Sequence, residues 1–218
     1  MLFMSLFFAG AGPIGEFLSI PDYWNPGYLV SFSIYTPVKT WTFGLEDWIG
    51  AFSSAGISTA LYELLYPKRN SQRNSGFSAR RFFILVGWSL VDMFLMLVLY
   101  VKVGVSGIQS MILSLIVTSG LIYFFHRGYF KTGIYASLVV ASGYWIFLSF
   151  IFLTFFPNGI HIIWNSKGNL GLYLRGIPVE EMIWAFSSCF FVGPLFRLSF
   201  ISETERHNHQ YKVFNDNK

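Results

Sequence analysis

Long apolar runs are the feature of this chain that most limits how it can fold. A helix that crosses a bilayer needs about 20 mostly apolar residues. Six segments meet that need: 1–20, 48–66, 82–101, 105–125, 133–156 and 182–200. Charged residues make up only 12% of the chain, whereas soluble domains carry about 25%. We therefore predict an all-α polytopic membrane protein with about six transmembrane helices.

The basic residues are divided unevenly between the two sides that six spans define. With both termini on one side, segments 67–81, 126–132 and 197–218 carry 5, 2 and 4 of the 15 Lys and Arg residues. The positive-inside rule then places both termini in the cytoplasm. This sorting also accounts for the sequence pI of about 9.2, so we predict an integral protein of the cell membrane and no nucleic-acid partner.

An internal repeat links the two halves of the chain. Residues 46–54 and 180–188 are identical at six of nine positions, with an offset of 134 residues. The same offset aligns Glu63 with Arg197. Both motifs open a helix from the same side, so we predict parallel repeats that meet around a shared site. The predicted units are a first repeat shortened at its start (1–66), a basic loop and linking helix (67–104), a second repeat (105–200) and a polar tail (201–218).

Each repeat opens with a pair of acids, Glu46-Asp47 and Glu180-Glu181. The helix dipole favours acids in a first turn, which by itself explains them as helix starts. Ionisable groups beside a bilayer are costly, however, and point to function. If burial keeps one carboxyl protonated, it can act as a general acid while a neighbour takes a proton back. Such chemistry needs no redox cofactor, and with a single cysteine, Cys189, we predict no metal and no cofactor.

The residues around these pairs resemble the integral-membrane lycopene cyclases, a family built from two small three-helix domains found as heterodimers or fused chains. The second repeat carries the family's tryptophan and its Gly-x-Pro-x-Glu-Glu helix start in residues 164–184. The first repeat is similar through 24–26, Glu46-Asp47 and 61–63. It departs from the family in two ways, because Gly44 stands where a proline is usual and its opening helix is missing.

The resemblance implies an intramolecular lyase or isomerase that cyclises the linear end groups of lycopene, or of a related carotenoid, into ionone-type rings. The implied substrate is hydrophobic and lies in the bilayer, and assembly with a second copy or another subunit is left open. The candidate catalytic residues are Glu180, Glu181, Glu46 and Asp47. The candidate substrate-binding residues are Glu16, Trp24, Trp164, Pro178, Trp184 and Asp92, the last a lone acid in the third span whose alternative role is a bond to a neighbouring helix.

Two other functions remain open at this point. One is a different membrane enzyme of polyisoprenoid chemistry, and the other is a non-catalytic partner subunit or a proton-coupled transporter that uses the same carboxylates. Residues 10–15 also spell G-x-G-x-x-G, the pattern of a dinucleotide-binding turn. Pro21 and Pro26 stop the helix that this turn requires, and no acid lies between Asp22 and Glu46, so we predict a kinked first span instead.

Overall fold

A computed structural model shows the protein as a bundle of α-helices. It describes residues 1–19, 23, 28–35, 40–66, 79–157, 159–164 and 169–200, without the side chains of 16–19, 41, 160 and 161. The helices are α1 (Leu2–Ala9), α2 (Gly12–Ser19), α3 (Leu45–Leu65), α4 (Ala79–Val98), α5 (Gly107–Phe125), α6 (Phe130–Phe155), α7 (Ile160–Ile163) and α8 (Val179–Phe200). The predicted all-α polytopic class is confirmed.

Among the described residues, four helices are long and apolar enough to cross a membrane. They are Ala79–Val103 (α4 with a π-helical extension), Gly107–Phe125, Arg127–Phe155 and Val179–Phe200. They match the third to sixth predicted spans. The second predicted span forms α3, which is not among these four helices and carries Glu46, Asp47 and Glu63.

The first predicted span is broken into two short helices, α1 and α2, by a turn at Gly10 and Ala11. Gly12, at the start of α2, lies against the backbone of α3, where a β-carbon on it would come 2.3 Å from the Asp47 carbonyl oxygen. The residues before the glycine-rich motif are helical and not a strand. The motif therefore serves a close contact between two helices and lacks the strand that a dinucleotide site requires.

Two antiparallel hairpins, which the sequence analysis did not predict, lead directly into α3 and α8. The first pairs β1 (Ser31–Tyr35) with β2 (Thr40–Gly44), and the second pairs β3 (Tyr173–Leu174) with β4 (Ile177–Pro178). The second hairpin turns through Arg175 and Gly176, which both have positive φ, 52° and 82°. Such two-residue turns match the twist of a hairpin and favour glycine. Each hairpin thus fixes the point at which a long helix begins.

Helices α3 and α8 pack side by side and run in the same direction. Along α3, Ser58, Tyr62 and Glu63 meet in turn Cys189, Gly193 and Arg197 of α8. Because the contacts advance along both helices together, the helices are parallel. Helix α8 is largely buried, whereas α4 and α6 expose most of their apolar surface. The division into two repeats stays a prediction.

Candidate active site

The second hairpin delivers Glu180 and Glu181 into the first turn of α8. The Val179 amide donates to the Leu172 carbonyl at 3.0 Å. This hydrogen bond joins the first residue of α8 to the residue that precedes β3. Pro178 ends β4, is buried, and has no N–H to donate. Neighbouring residues on a helix point about 100° apart, so the two carboxyl groups reach different surroundings.

Glu181 accepts hydrogen bonds from three aromatic side chains. Trp164 Nε1 and the Tyr23 hydroxyl donate to Oε1 at 2.9 and 3.0 Å. The Tyr144 hydroxyl donates to Oε2 at 3.1 Å. The donors come from three separate parts of the chain: the residues before β1, helix α6, and the residue after α7. Glu181 is partly exposed.

Tyr23 is a neutral donor at ordinary pH. It is 2% exposed, and burial raises the pKa of its phenol, with the negative charge of Glu181 acting in the same direction. A tyrosine that keeps its proton acts as a hydrogen-bond donor to the carboxylate and does not itself become a second negative charge.

Apolar and aromatic side chains surround this carboxylate. Trp164 packs edge-on against Phe152 with ring centroids 4.9 Å apart, and the rings of Tyr144 and Trp184 lie 5.9 Å apart. Trp184 Nε1 also donates to Met111 Sδ at 3.1 Å. We call the rings of Tyr144, Phe152, Trp164 and Trp184 the aromatic wall. Aromatic faces attract cations, by about 2 kcal/mol or more where water is excluded.

Glu180 has a different environment from its neighbour. Its side chain is 1% exposed. The Leu170 amide, in the loop before β3, donates to Oε1. Its second oxygen, Oε2, is buried and has no hydrogen-bond partner among the described residues. Buried polar atoms are nearly always bonded, so this one calls for an explanation.

The first acidic pair occupies the same place at the start of α3. Leu29, before β1, donates its amide to Glu46 Oε1 at 2.7 Å. The amides of Glu46 itself and of Leu29 lower the pKa of the Glu46 carboxyl. Asp47 Oδ2 accepts the Gly44 amide at 2.7 Å, which caps the helix. Burial raises the pKa of Asp47. Both of these acids are therefore held by backbone groups.

The two pairs are alike at their first acid and differ at their second. Glu46 and Glu180 each accept an amide from the loop before a hairpin. Asp47 binds the amide of Gly44, but the residue equivalent to Gly44 in the second motif is Pro178, which has no amide hydrogen. Glu181 therefore has no amide of this kind to accept, and its hydrogen bonds come from aromatic side chains instead.

The structure places the other predicted site residues as follows. Trp24 and the side chain of Glu16 lie outside the described residues. Asp92, on α4, accepts the Thr118 hydroxyl of α5 at 3.3 Å. Thr118 lies seven residues beyond Met111, about 10 Å along the helix, so Asp92 joins two helices well below the aromatic wall.

Sequence reasoning missed Tyr23 and Tyr144. Tyr23 directly precedes Trp24, so the tryptophan motif marked its neighbourhood without marking the residue. Tyr144 lies inside an apolar span among many other aromatic residues. Its sequence position carries no signal, because its role depends on a helix 37 residues further along the chain.

The fold and the site define a polytopic helical membrane protein with a pair of acids at the start of α8, one of which, Glu181, is bonded by aromatic side chains. Residues 108–198 match the family model described as lycopene cyclase, so this segment of the chain is similar to the lycopene cyclases. The segment includes α5, α6 and Glu180-Glu181, and it indicates an enzyme and, in general terms, a carotenoid cyclase. No curated protein and no solved structure matches the chain.

Proposed function

We propose that this protein cyclises the linear end groups of lycopene, or of a closely related carotenoid, into ionone-type rings. The observation that carries the proposal is Glu181, which follows Glu180 at the start of α8 and accepts hydrogen bonds from Trp164 and Tyr144 of the aromatic wall, within the segment that matches the family model. A proton donor and a proton acceptor side by side in apolar surroundings suit a substrate that has no polar group of its own.

The proposed reaction begins with a proton transfer from a carboxyl group to the terminal alkene of the substrate. The new C–H bond leaves a carbocation, which the next alkene along the chain attacks to form the ring C–C bond. Loss of a proton from a neighbouring carbon to a carboxylate restores a C=C bond. One proton enters and one leaves, so the product is an isomer of the substrate and no oxidant is consumed.

The surroundings of Glu181 support this chemistry at the cationic stage. Trp164 donates to the carboxylate through its ring N–H, and the ring of Trp184 lies 5.9 Å from that of Tyr144, another donor to Glu181. Aromatic faces stabilise a desolvated cation. The fixed dipoles of the donor groups cost no reorganisation when charge develops. In our proposal Glu180 and Glu181 transfer the protons, whereas Trp164 and Trp184 line the substrate.

The proposed topology keeps both termini in the cytoplasm. The acidic pairs then lie near the opposite face of the membrane, at the starts of α3 and α8. A carotenoid is long and apolar, so it would lie along the hydrocarbon core and bring one end group to the aromatic wall. The exposed apolar surfaces of α4 and α6 suit the same lipid environment.

The proposal is tested by expression in a bacterial host that accumulates lycopene, with the pigments separated by chromatography. We expect cyclic carotenoids with the wild type and their loss with Glu181→Gln, which removes the charge at nearly constant volume. Glu203→Gln is the matched control, because it makes the same exchange in the polar tail. Lycopene left unchanged by wild-type protein that is present in the membrane at normal levels would overturn the proposal.

A further inference from the structure

The two oxygens of the Glu181 carboxyl group have different partners. Oε1 accepts two hydrogen bonds, from Trp164 Nε1 at 2.9 Å and from the Tyr23 hydroxyl at 3.0 Å. Among the described residues, Oε2 has one partner, the Tyr144 hydroxyl at 3.1 Å. The carboxyl group is therefore held unsymmetrically, with two donors on one oxygen and one hydroxyl group on the other.

The partners also differ in whether they can accept a hydrogen bond. An indole N–H is a donor only, whereas a phenol hydroxyl both donates and accepts. The Tyr144 hydroxyl can donate to Oε2 when that oxygen carries no proton, and it can accept from Oε2 when that oxygen carries one. Oε2 can thus gain or lose a proton while Trp164 and Tyr23 keep their hydrogen bonds to Oε1 unchanged.

A proton on Oε1 would disturb this arrangement. A carbonyl oxygen has two lone pairs, which serve the two donors that Oε1 has now. If Oε1 were protonated, the Tyr23 hydroxyl would have to turn, and the Trp164 N–H would face a hydroxyl oxygen with less acceptor capacity. A buried donor that loses its acceptor is costly. The hydrogen bonds therefore favour Oε2 as the oxygen that carries a proton, whatever the charge of the resting carboxyl group.

The surroundings of the two oxygens differ in accessibility as well. The partners of Oε1 are buried, since Tyr23 is 2% exposed and Trp164 is 7% exposed. Tyr144, the partner of Oε2, is partly exposed, and so is Trp184, whose ring lies 5.9 Å from that of Tyr144. The groups around Oε2 are thus more accessible to a bound molecule than the groups around Oε1.

From these two differences we infer that Oε2 is the oxygen of Glu181 that exchanges a proton with the substrate, and that Tyr144 is the positioning residue for this oxygen. The inference rests on the proposed function and applies to either direction of transfer. If Glu181 gives the proton, the Oε2–H bond breaks as a substrate C–H bond forms. If Glu181 takes the proton, the C–H bond breaks and the Oε2–H bond forms. In both cases the Tyr144 hydroxyl reverses its hydrogen bond and Oε1 keeps its two donors.

This assignment also locates the reacting end group of the carotenoid. Its carbon has to reach Oε2, so it lies next to Tyr144 and Trp184, the part of the aromatic wall that adjoins this oxygen. Trp164 and Tyr23 hold the other oxygen, and by fixing Oε1 they fix the plane of the carboxyl group. The two tyrosines that bond Glu181 therefore have different tasks.

The first experiment identifies the protonated oxygen by infrared spectroscopy of membranes that contain the protein, without substrate. The acid C=O band of Glu181 is the band that appears on lowering the pH in the wild type and not in Glu181→Gln. With the proton on Oε2, the C=O oxygen is Oε1, and loss of a hydrogen bond to it raises the frequency of the band. Tyr23→Phe removes a hydroxyl group from Oε1 and Tyr144→Phe removes one from Oε2, so these variants form a matched pair.

We expect a clear rise in the band frequency with Tyr23→Phe and a smaller change with Tyr144→Phe. Trp164→Phe removes the other donor to Oε1 and should also raise the frequency, which gives a result even where Tyr23→Phe folds poorly. A larger rise with Tyr144→Phe would overturn the assignment. So would the absence of a Glu181 acid band over the whole pH range in which the wild type stays folded.

The second experiment tests the positioning role with two tyrosines of α6. Tyr144→Phe removes the partner of Oε2, whereas Tyr135→Phe removes a hydroxyl group from a side chain that is 64% exposed. At equal protein levels and saturating lycopene, we expect ring formation to be about tenfold slower with Tyr144→Phe, as for one lost hydrogen bond to a reacting group. The lycopene concentration for half-maximal rate should change little. A wild-type rate with Tyr144→Phe, or an equal loss with Tyr135→Phe, would overturn the positioning role.

The two measurements separate this inference from the proposed function, because the infrared band does not depend on turnover. If the wild type forms no cyclic carotenoid and the band responds as expected, the proposed function fails and Oε2 remains the protonated oxygen. If rings form and the band responds more strongly to Tyr144→Phe, the proposed function stands and the inference fails.

Discussion

Arg197 Nη1 lies 3.3 Å from Glu63 Oε1, and the two residues are separated by the same 134 positions that separate the acidic motifs. Residues at equivalent positions of two parallel units touch each other only near the axis that relates the units. The Arg197 guanidinium also lies 3.5 Å from the centre of the Tyr66 ring. This ion pair therefore lies where a repeat would bring α3 and α8 together, and it supports the proposed internal relationship.

Removing the charge of Glu63 is expected to destabilise the fold. Glu63→Gln leaves Arg197, whose side chain is 7% exposed, without its counter-charge. Breaking a buried pair costs about 3–5 kcal/mol. Since Glu63 is 30% exposed, water screens part of this, and we expect about 1–2 kcal/mol. Thermal unfolding in detergent should show a Tm lower by about 2–8 °C.

The double variant supplies the control for this pair. Glu63→Gln with Arg197→Met replaces both partners, so no buried charge is left alone. It is expected to unfold at a higher temperature than Glu63→Gln. A double variant that is less stable than Glu63→Gln would mean that Arg197 stabilises the fold through other contacts, such as the one with Tyr66.

The start of α2 is expected to tolerate no side chain at Gly12. A β-carbon there would lie 2.3 Å from the Asp47 carbonyl oxygen, so α2 would have to move away from α3. We expect Gly12→Ala to cost about 1–3 kcal/mol, measured as a lower Tm. Gly10→Ala is the control, because its nearest contact would be at 3.7 Å. Equal effects of both changes would contradict the close approach.

Glu46 and Asp47 are expected to respond to pH in opposite directions. Burial raises the pKa of Asp47, so its contribution to stability is complete at low pH and is lost as the pH rises through that raised value. Backbone amides lower the pKa of Glu46, so its contribution is complete above its ordinary pKa and is lost as the pH falls. The Tm of Asp47→Asn and of Glu46→Gln should be compared with that of the wild type from about pH 3 to about pH 8.

With rising pH, Asp47→Asn should gain stability relative to the wild type, since asparagine can still accept the Gly44 amide without a buried charge. Glu46→Gln should lose stability relative to the wild type over the same range. Parallel curves for the two variants would show that the neighbouring acids share one environment, contrary to the distinct hydrogen bonds described above.

The contact between α3 and α8 is expected to depend on Gly193. A β-carbon at this position would lie 2.3 Å from Tyr62 Cδ2 and 2.7 Å from Cγ, so it would meet the root of the ring and not a flexible end. Gly193→Ala should lower the Tm by an amount that corresponds to about 1–3 kcal/mol. Gly143→Ala on α6, where a β-carbon would meet no atom of the described residues within 4 Å, should leave the Tm unchanged or raise it, because alanine favours helices.

The helices could be predicted from sequence because apolar length is a local property. Residues 82–101 and 105–125 read as spans without any knowledge of their neighbours, and α4 and α5 form there. The hairpins could not be predicted in this way. The strands of the second one are two residues long, too short for an alternating pattern, and they depend on the turn at Arg175 and Gly176.

The candidate site was predictable only in part. The acids and Trp164 belong to short motifs that can be recognised in sequence, and the structure brings Trp164 to Glu181. Tyr23 lies 158 residues before Glu181, and no local pattern connects positions so far apart. The Gly44 amide donates to Asp47 because position 44 is not a proline. The sequence shows that Gly44 stands where the second motif has Pro178, but only the structure shows that this difference decides which donors the acids bind.

Tyr23 also limits how far the two halves of this chain could be encoded by separate genes. It lies outside residues 108–198, yet its hydroxyl bonds the Glu181 carboxylate inside that segment. A gene that encoded the second half alone would lose one of the groups that hold this carboxylate in place. The two halves of the chain therefore contribute to one hydrogen bond. A substitution of Tyr23 or of Glu181 changes the surroundings of the other residue, so the two positions are expected to constrain each other during evolution.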